Sequence, residues 1–249
     1  VGGGFIGSEL AASLCSVGCK VTMLFPGDAI GGGRYADGLA DFLNGYFRAK
    51  GVTVCAGVRV VDGKADDDGV ELAMSDGETR RFDAVVAGLG VTPNTALAEQ
   101  AGLAVDNGIV VDDRLRSSDP DIWAAGDVAN FRNPALGQRL RVEHENAAVG
   151  MGHHAGRVMT GADEAYDTLP FFYSDLFDLG YEAVGLLDAR LEIFEDWRST
   201  YREGVVYYLD AGRVRGVLLW NVWGQVEAAR ELIAQPGPID MESLRGRIP

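Results

Sequence analysis

"VGGGFIGSEL", residues 1–10, is the stretch whose reading decides the fold. Gly2, Gly4 and Gly7 stand in the pattern G-x-G-x-x-G, which normally follows a buried strand, opens a helix and receives a nucleotide. Each glycine has its own physical task. Gly2 permits the tight change of direction, Gly4 lets the backbone approach a pyrophosphate, and Gly7 lets the helix pack closely on the sheet. The helix then aims its unpaired N–H groups at the phosphates. Residues 8–17 read as that helix, with Ile6, Leu10, Leu14 and Val17 at helical spacing and Gly18 as its stop. The apolar run "CKVTMLF" at 19–25 reads as a second parallel strand. Close glycines also occur in ordinary tight turns, and the order of turn, helix and strand is what favours the nucleotide.

Only Val1 remains of the strand that should precede the turn. In a doubly wound sheet that strand is central, and losing about four buried apolar residues there would forfeit on the order of 6 to 12 kcal/mol. The chain is therefore expected to be a fragment, the later part of a longer polypeptide.

Composition sets wider bounds. With 249 residues, 47% of them hydrophobic, more than one domain is expected. No apolar run approaches the roughly 20 residues of a membrane span and no signal peptide is legible, so a soluble, cytoplasmic protein is the expectation. A net charge of −15 argues against nucleic acid as a partner. Cys15, Cys19 and Cys55 read as small core fillers; a redox pair of the first two lacks C-x-x-C spacing. His153 and His154 diverge on a helix and His144 lies more than two turns away, so no metal site is expected. Asp66, Asp67 and Asp68 beside Gly69 read as a solvated turn rather than a metal cluster.

Further along, residues 35–51 read as a helix with Leu39, Phe42, Leu43, Tyr46 and Phe47 on one broad face, followed by a strand in "VTVCAG". Two extended runs joined by Ser75, Asp76, Gly77 and Glu78 form an antiparallel insertion that delivers the chain to "AVVAGLG" at 84–90, an apolar strand running into glycines. In "DIWAAGDVANF" the run 122–125 reads as a buried strand, and Asp127 as a carboxylate at its carboxyl end. That carboxylate either accepts hydrogen bonds from a polyol or caps a helix. From about Tyr166 the pattern changes to two strands around residues 210–213 and an amphipathic helix in "QVEAARELIAQ", an α+β unit with Val217, Leu218, Leu219 and Trp220 in its core.

The ordered set "GGGFIGSE", "VVAGLGVTPN" and "DIWAAGDVA" resembles the signature of the pyridine nucleotide-disulfide oxidoreductase superfamily of flavoproteins. "FFYSDLFDLGYEAVG" is similar to the corresponding stretch of apoptosis-inducing factors and bacterial ferredoxin reductases. The resemblance covers essentially the whole chain. It implies an α/β fold in three parts: a Rossmann-like NAD(P)-binding domain with an antiparallel insertion (1–85), the trailing part of an FAD-binding domain (86–165) and a C-terminal α+β interface domain (166–249).

The same resemblance implies the site. Gly2, Gly4, Phe5, Ile6 and Gly7 would receive the NAD(P)H pyrophosphate, with Glu9 beside the nicotinamide half. Asp127 would hold the FAD ribityl chain, Gly126 would let it approach, and Gly90 would lie near the junction of the cofactors. Glu143, His144 and Ala147 would sit where a helix points its positive end at the flavin ring. Tyr173 matches a position where relatives often carry a tryptophan that stacks near the isoalloxazine; core packing of Phe171, Phe172 and Tyr173 is the alternative. The superfamily's first FAD glycine motif is not in this sequence. Cofactor choice departs from the usual pattern, because Phe25 occupies the strand end where an acidic residue would hold the ribose of NAD. Asp28 would substitute for it, or Arg34 would meet a 2′-phosphate; NADH is favoured. The implied reaction is hydride transfer from NAD(P)H to flavin, then one-electron transfer to ferredoxin, rubredoxin or another acceptor, with no protein nucleophile or acid–base dyad. A homodimer is one expected assembly. The alternative is an NADH-responsive flavoprotein acting mainly as a binding or assembly factor.

Overall fold

The first helix, α1 (Phe5–Ser16), begins three residues earlier than its spacing suggests and is followed by β1 (Thr22–Phe25), α2 (Asp37–Ala49) and β2 (Thr53–Ala56). The structure, a computed structural model, describes all 249 residues, Val1–Pro249. β1 and β2 pair in parallel with Thr22 opposite Thr53. On the other side of β1 the Gly2 amide donates to the Leu24 carbonyl (2.8 Å), and the Gly88 amide donates to the Val1 carbonyl (2.7 Å). The sheet therefore runs β2, β1, the Val1–Gly2 stub and the segment around Gly88, with the glycine turn at its centre.

The apolar stripe expected to bury α1 does not do so. Ser8, Ala11 and Ala12 are buried, whereas Ile6 is 51% exposed and Val17 77%. The close approach allowed by Gly7 leaves room beneath the helix only for small side chains, and the larger ones are turned to its flanks. Leu10 and Leu14 border an uncovered groove of about 450 Å³ between α1, β1 and residues 82–88. The expected strand at 84–90 is also altered. It forms no regular ladder, and Val86, Leu89 and Val91 stand out to solvent.

The expected insertion is a three-stranded antiparallel sheet of β3 (Val60–Asp66), β4 (Gly69–Met74) and β5 (Thr79–Phe82). After α3 (Ala96–Gln100) a second small sheet joins β6 (Ile109–Val110), β7 (Ala129–Asn133) and β8 (Gln138–Leu140). The buried strand expected at 122–125 is reduced to a single bridge between Arg116 and Trp123, and the strand starts instead at Ala129, after the motif. A tight 3-10 turn at Gly126–Val128 separates the two apolar runs. α4 (Glu145–Met159) packs over that turn.

The C-terminal unit is one antiparallel sheet built from β9 (Phe171–Leu176), β10 (Leu179–Gly185), β11 (Glu192–Ser199), β12 (Glu203–Asp210) and β13 (Arg213–Trp220), in the order β11-β12-β13-β10-β9. α5 (Val226–Ala234) covers one face, and Val217, Leu218, Leu219 and Trp220 are fully buried. The opposite face shares a continuous core with α1, β1 and α2. There Phe5 meets Phe172 edge-on (5.2 Å between centroids), the Tyr35 hydroxyl donates to that of Tyr181 (2.9 Å), and Tyr181 stacks on Trp220. At the rim of this seam Asp178 joins Lys50, Arg202 and the Tyr46 hydroxyl. No helix is long and apolar enough to cross a membrane. Cys15 and Cys55 are half-buried and pack against apolar clusters, as expected of small fillers, whereas Cys19 is exposed, and all three are unpaired. Asp66, Asp67 and Asp68 are exposed, with Asp66 engaging Arg81, and no acidic, histidine or cysteine cluster could hold a metal.

Candidate functional site

The glycine turn is shaped by collisions it avoids. Gly2 has φ +118°, and a Cβ there would lie 2.2 Å from the Gly88 carbonyl oxygen. A Cβ on Gly7 would lie 2.1 Å from the Gly2 carbonyl oxygen, and one on Gly3 would meet the Phe25 ring at 2.7 Å. Gly4 differs from these three, since nothing stands within 4 Å of a Cβ placed on it. The backbone is thus crowded on the sheet side and open on the other. Gly4 is also the N-cap of α1, no side chain caps that helix, and its first turn carries no acidic residue. The Ser8 amide makes the first intrahelical bond, to Gly4 (2.9 Å), which leaves the Phe5, Ile6 and Gly7 amides without an intrahelical partner. Three aligned donors at a positive helix end, beside open space, fit a phosphate group.

A second helix end faces the same region. His144 is the N-cap of α4, and its Nδ1 accepts from the Asn146 amide (3.2 Å). Glu143 lies outside the helix and pairs with Arg141 (2.6 Å), while Ala147 is buried in the first turn. The His144 ring meets Tyr173 edge-on at 5.3 Å, and Tyr173 is 51% exposed on β9. Burial lowers the His144 pKa below the ordinary histidine value, while the carboxylates of Glu145, Glu9 and Asp127 pull it upward.

These groups open on a cleft of about 600 Å³, shared by Phe5, Glu9 and Arg34 of the first unit, Glu143 and His144 before α4, and Tyr173 of the C-terminal sheet. Asp127 borders it. Its side chain is exposed, and the turn it belongs to has no side-chain cap, so the helix-cap alternative is not what the fold uses. Gly126 precedes it at φ +78°, a conformation that favours glycine, and faces Ala148 of α4. An unencumbered carboxylate beside a helix N-terminus and an aromatic ring fits a polyol-bearing ring cofactor.

The segment after β5 and the loop after β1 place Gly90 and Arg34 as follows. Gly90 (φ +93°) lies on the exposed segment with nothing within 4 Å, and the residue that meets the turn is Gly88. The Gly-Leu-Gly pattern is a signal for both. Arg34 is not beside Asp28 at the end of β1; its guanidinium lies over the Phe5 ring (4.3 Å), in the cleft. Asp28 is exposed, and its carbonyl accepts from Asn44 Nδ2 (2.8 Å). Asn44 is legible in the sequence only as one polar residue on the α2 face, with no sign that it would be buried.

Comparison with known proteins identifies the family. Residues 1–152 match the family model "Pyridine nucleotide-disulphide oxidoreductase", and residues 194–235 match "Apoptosis-inducing factor, mitochondrion-associated, C-term". The chain is 32% identical to apoptosis-inducing factor 1 of Dictyostelium discoideum, across 96% of this chain and 49% of that protein. It is 34% identical to the ferredoxin–NAD(+) reductase component of the anthranilate 1,2-dioxygenase system of Burkholderia cepacia, across 98% and 60%. Among solved structures, putidaredoxin reductase in covalent complex with putidaredoxin superposes with a TM-score of 0.90 at 29% identity, over 98% of this chain and 59% of that one. The chain thus spans about half to three fifths of the length of these relatives. With its glycine turn, its shared cleft and a family match over residues 1–152, this chain belongs to the pyridine nucleotide-disulphide oxidoreductase family.

Proposed function

We propose that this protein works as an FAD-dependent NAD(P)H oxidoreductase delivering electrons to a ferredoxin-like acceptor. The observation that carries the reading is that Phe5 and Glu9, at the start of the helix that Gly4 opens, line one cleft with His144 and Tyr173, and that the Asp127 carboxylate is near enough for its charge to act on His144. When bound there, FAD would accept a hydride from NAD(P)H and pass electrons on one at a time. The amides of Phe5, Ile6 and Gly7 bind the dinucleotide phosphates, and Gly4 leaves them room. Glu9 orients the nicotinamide half, and Asp127 accepts hydrogen bonds from the flavin side chain. The start of α4 presents the positive end of a helix to the flavin ring, while Phe5 and Tyr173 exclude water from the cleft. NADH is the proposed donor, supported by Asp28 at the end of β1 and by the relative named as a ferredoxin–NAD(+) reductase component. The complex with putidaredoxin supports a small iron–sulfur protein as the acceptor class. Three unpaired cysteines fit a reducing, cytoplasmic compartment.

The match of residues 194–235 to the C-terminal module of apoptosis-inducing factor supports a second reading, an NADH-responsive assembly factor. Steady-state turnover of the FAD-loaded protein with NADH and an artificial electron acceptor separates the two. Rapid turnover supports the reductase. Slow reduction with a long-lived flavin–nicotinamide complex supports the sensor.

A further inference from the structure

Arg34 is the one cation in the cleft that has no carboxylate partner. Arg141, the other, is committed to Glu143 (2.6 Å). Arg34 makes a single hydrogen bond, from Nη1 to the Gly31 carbonyl (3.0 Å), and lies over Phe5 at 4.3 Å. Phe5 is the first residue of α1, so the guanidinium lies on the side chain of the residue that opens the helix whose first three amides lack an intrahelical partner.

The loop that carries Arg34 is fastened to the glycine turn. The Gly31 amide donates to the Gly3 carbonyl (2.8 Å), and the Ala189 amide donates to the Gly33 carbonyl (2.8 Å). Between these anchors Gly31, Gly32 and Gly33 all have positive φ, at +91°, +46° and +76°. A run of this kind folds the chain back so that Arg34 returns to the turn instead of continuing along the β1 edge. In a chain of net charge −15, an arginine with no carboxylate partner, held on the first side chain of this helix, is complementary to a dinucleotide pyrophosphate, which carries one negative charge on each phosphate.

We infer that Arg34 is a side-chain ligand of the dinucleotide pyrophosphate and is not a reader of an adenosine 2′-phosphate. The inference rests on the nucleotide-site reading above. It makes Arg34 a binding residue common to both dinucleotides, and leaves discrimination between them to the end of β1.

The test uses the FAD-loaded full chain and the variants Arg34→Gln and Arg34→Lys, with NAD+, NADP+ and AMP titrated by calorimetry at low and high salt. For R34Q the expected result is an equal loss of affinity for NAD+ and NADP+, about tenfold, as for removal of a charge-assisted hydrogen bond. AMP, which lacks the second phosphate, loses less, and the salt dependence of NAD+ binding flattens. R34K, which keeps the charge without the planar fork, shows a smaller but still equal loss, and decides the matter should R34Q fail to fold. Loss confined to NADP+ overturns the inference in favour of a 2′-phosphate contact. Unchanged affinity, or a loss that salt does not modulate, overturns it in favour of a packing role on Phe5. Failure of the unsubstituted protein to bind NAD+ at all overturns instead the nucleotide-site reading on which it rests.

Discussion

Adding one methyl group at Gly4 and, separately, at Gly7 produces opposite outcomes if the turn works as described. At Gly7 the methyl would stand 2.1 Å from the Gly2 carbonyl oxygen, more than 1 Å inside an ordinary contact of about 3.4 Å. Backbone lies on both sides, so relief requires α1 to move off the sheet. Overpacking of this kind costs about 1–3 kcal/mol, which for a chain of this size lowers Tm by roughly 2–12 °C. At Gly4 the methyl meets nothing within 4 Å, and the cost is confined to a poorer N-cap, about 0.5–1 kcal/mol. That open space is the one assigned to the pyrophosphate. Gly4→Ala is therefore expected to keep its fold yet bind NADH at least about tenfold more weakly, since a misplacement near 1 Å at such a site is costly. Thermal unfolding and NADH titration of the two FAD-loaded variants give the comparison. A G4A protein that binds NADH like the wild type, or a G7A protein equally stable to it, refutes these roles for the two glycines.

Other consequences follow from single side chains. Asp28→Ala should raise the KM for NADH while leaving that for NADPH unchanged or lower. Asn44→Ala should do the same and also cost about 1–3 kcal/mol in thermal stability, because it unpairs the buried Ile30 amide (3.1 Å to Oδ1). Asp127→Ala should weaken FAD retention about 10- to 100-fold, measured as flavin released on dilution; unchanged retention would return Asp127 to a local structural role. The Lys50 ammonium, then the Tyr46 hydroxyl, holds the Asp178 carboxyl down to about 2, below its usual range. This is a depressed carboxylate, so its contribution is complete above about pH 4 and is lost as pH falls through about 2. Its side chain is 57% exposed, which limits the contribution to less than about 1 kcal/mol. Asp178→Asn should lower Tm slightly at neutral pH and flatten the acid limb of the Tm–pH curve.

What could be read from sequence was what neighbouring residues decide. The glycine turn, α2 with Leu39, Leu43 and Phe47 fully buried, the Asp76–Gly77 hairpin and the β12–β13 pair all carry local signals and stand where those signals put them. Features set by distant parts of the chain left no such trace. The β9–β10 hairpin turns at Phe177 with φ +64°, where glycine or asparagine would be expected, and is held by contact of that ring with Tyr46 and Phe47. No local rule places a bulky aromatic in that conformation. Periodicity put Ile6, Leu10 and Val17 against the sheet, but the close approach at Gly7 selected the small residues. In the site, the positions of the motif glycines are legible and the contacts between distant segments are not. That Gly88 and not Gly90 meets the turn, and that three glycines fold Arg34 back onto Phe5, depend on contacts between segments tens of residues apart.

Anaerobic rapid mixing of the FAD-loaded protein with NADH tests most directly whether the two binding regions serve a single cleft. If they do, flavin absorbance bleaches at a rate that saturates with NADH and slows when the transferred hydrogen is deuterium. Flavin that stays oxidised while NADH is demonstrably bound would mean that the two regions do not share it.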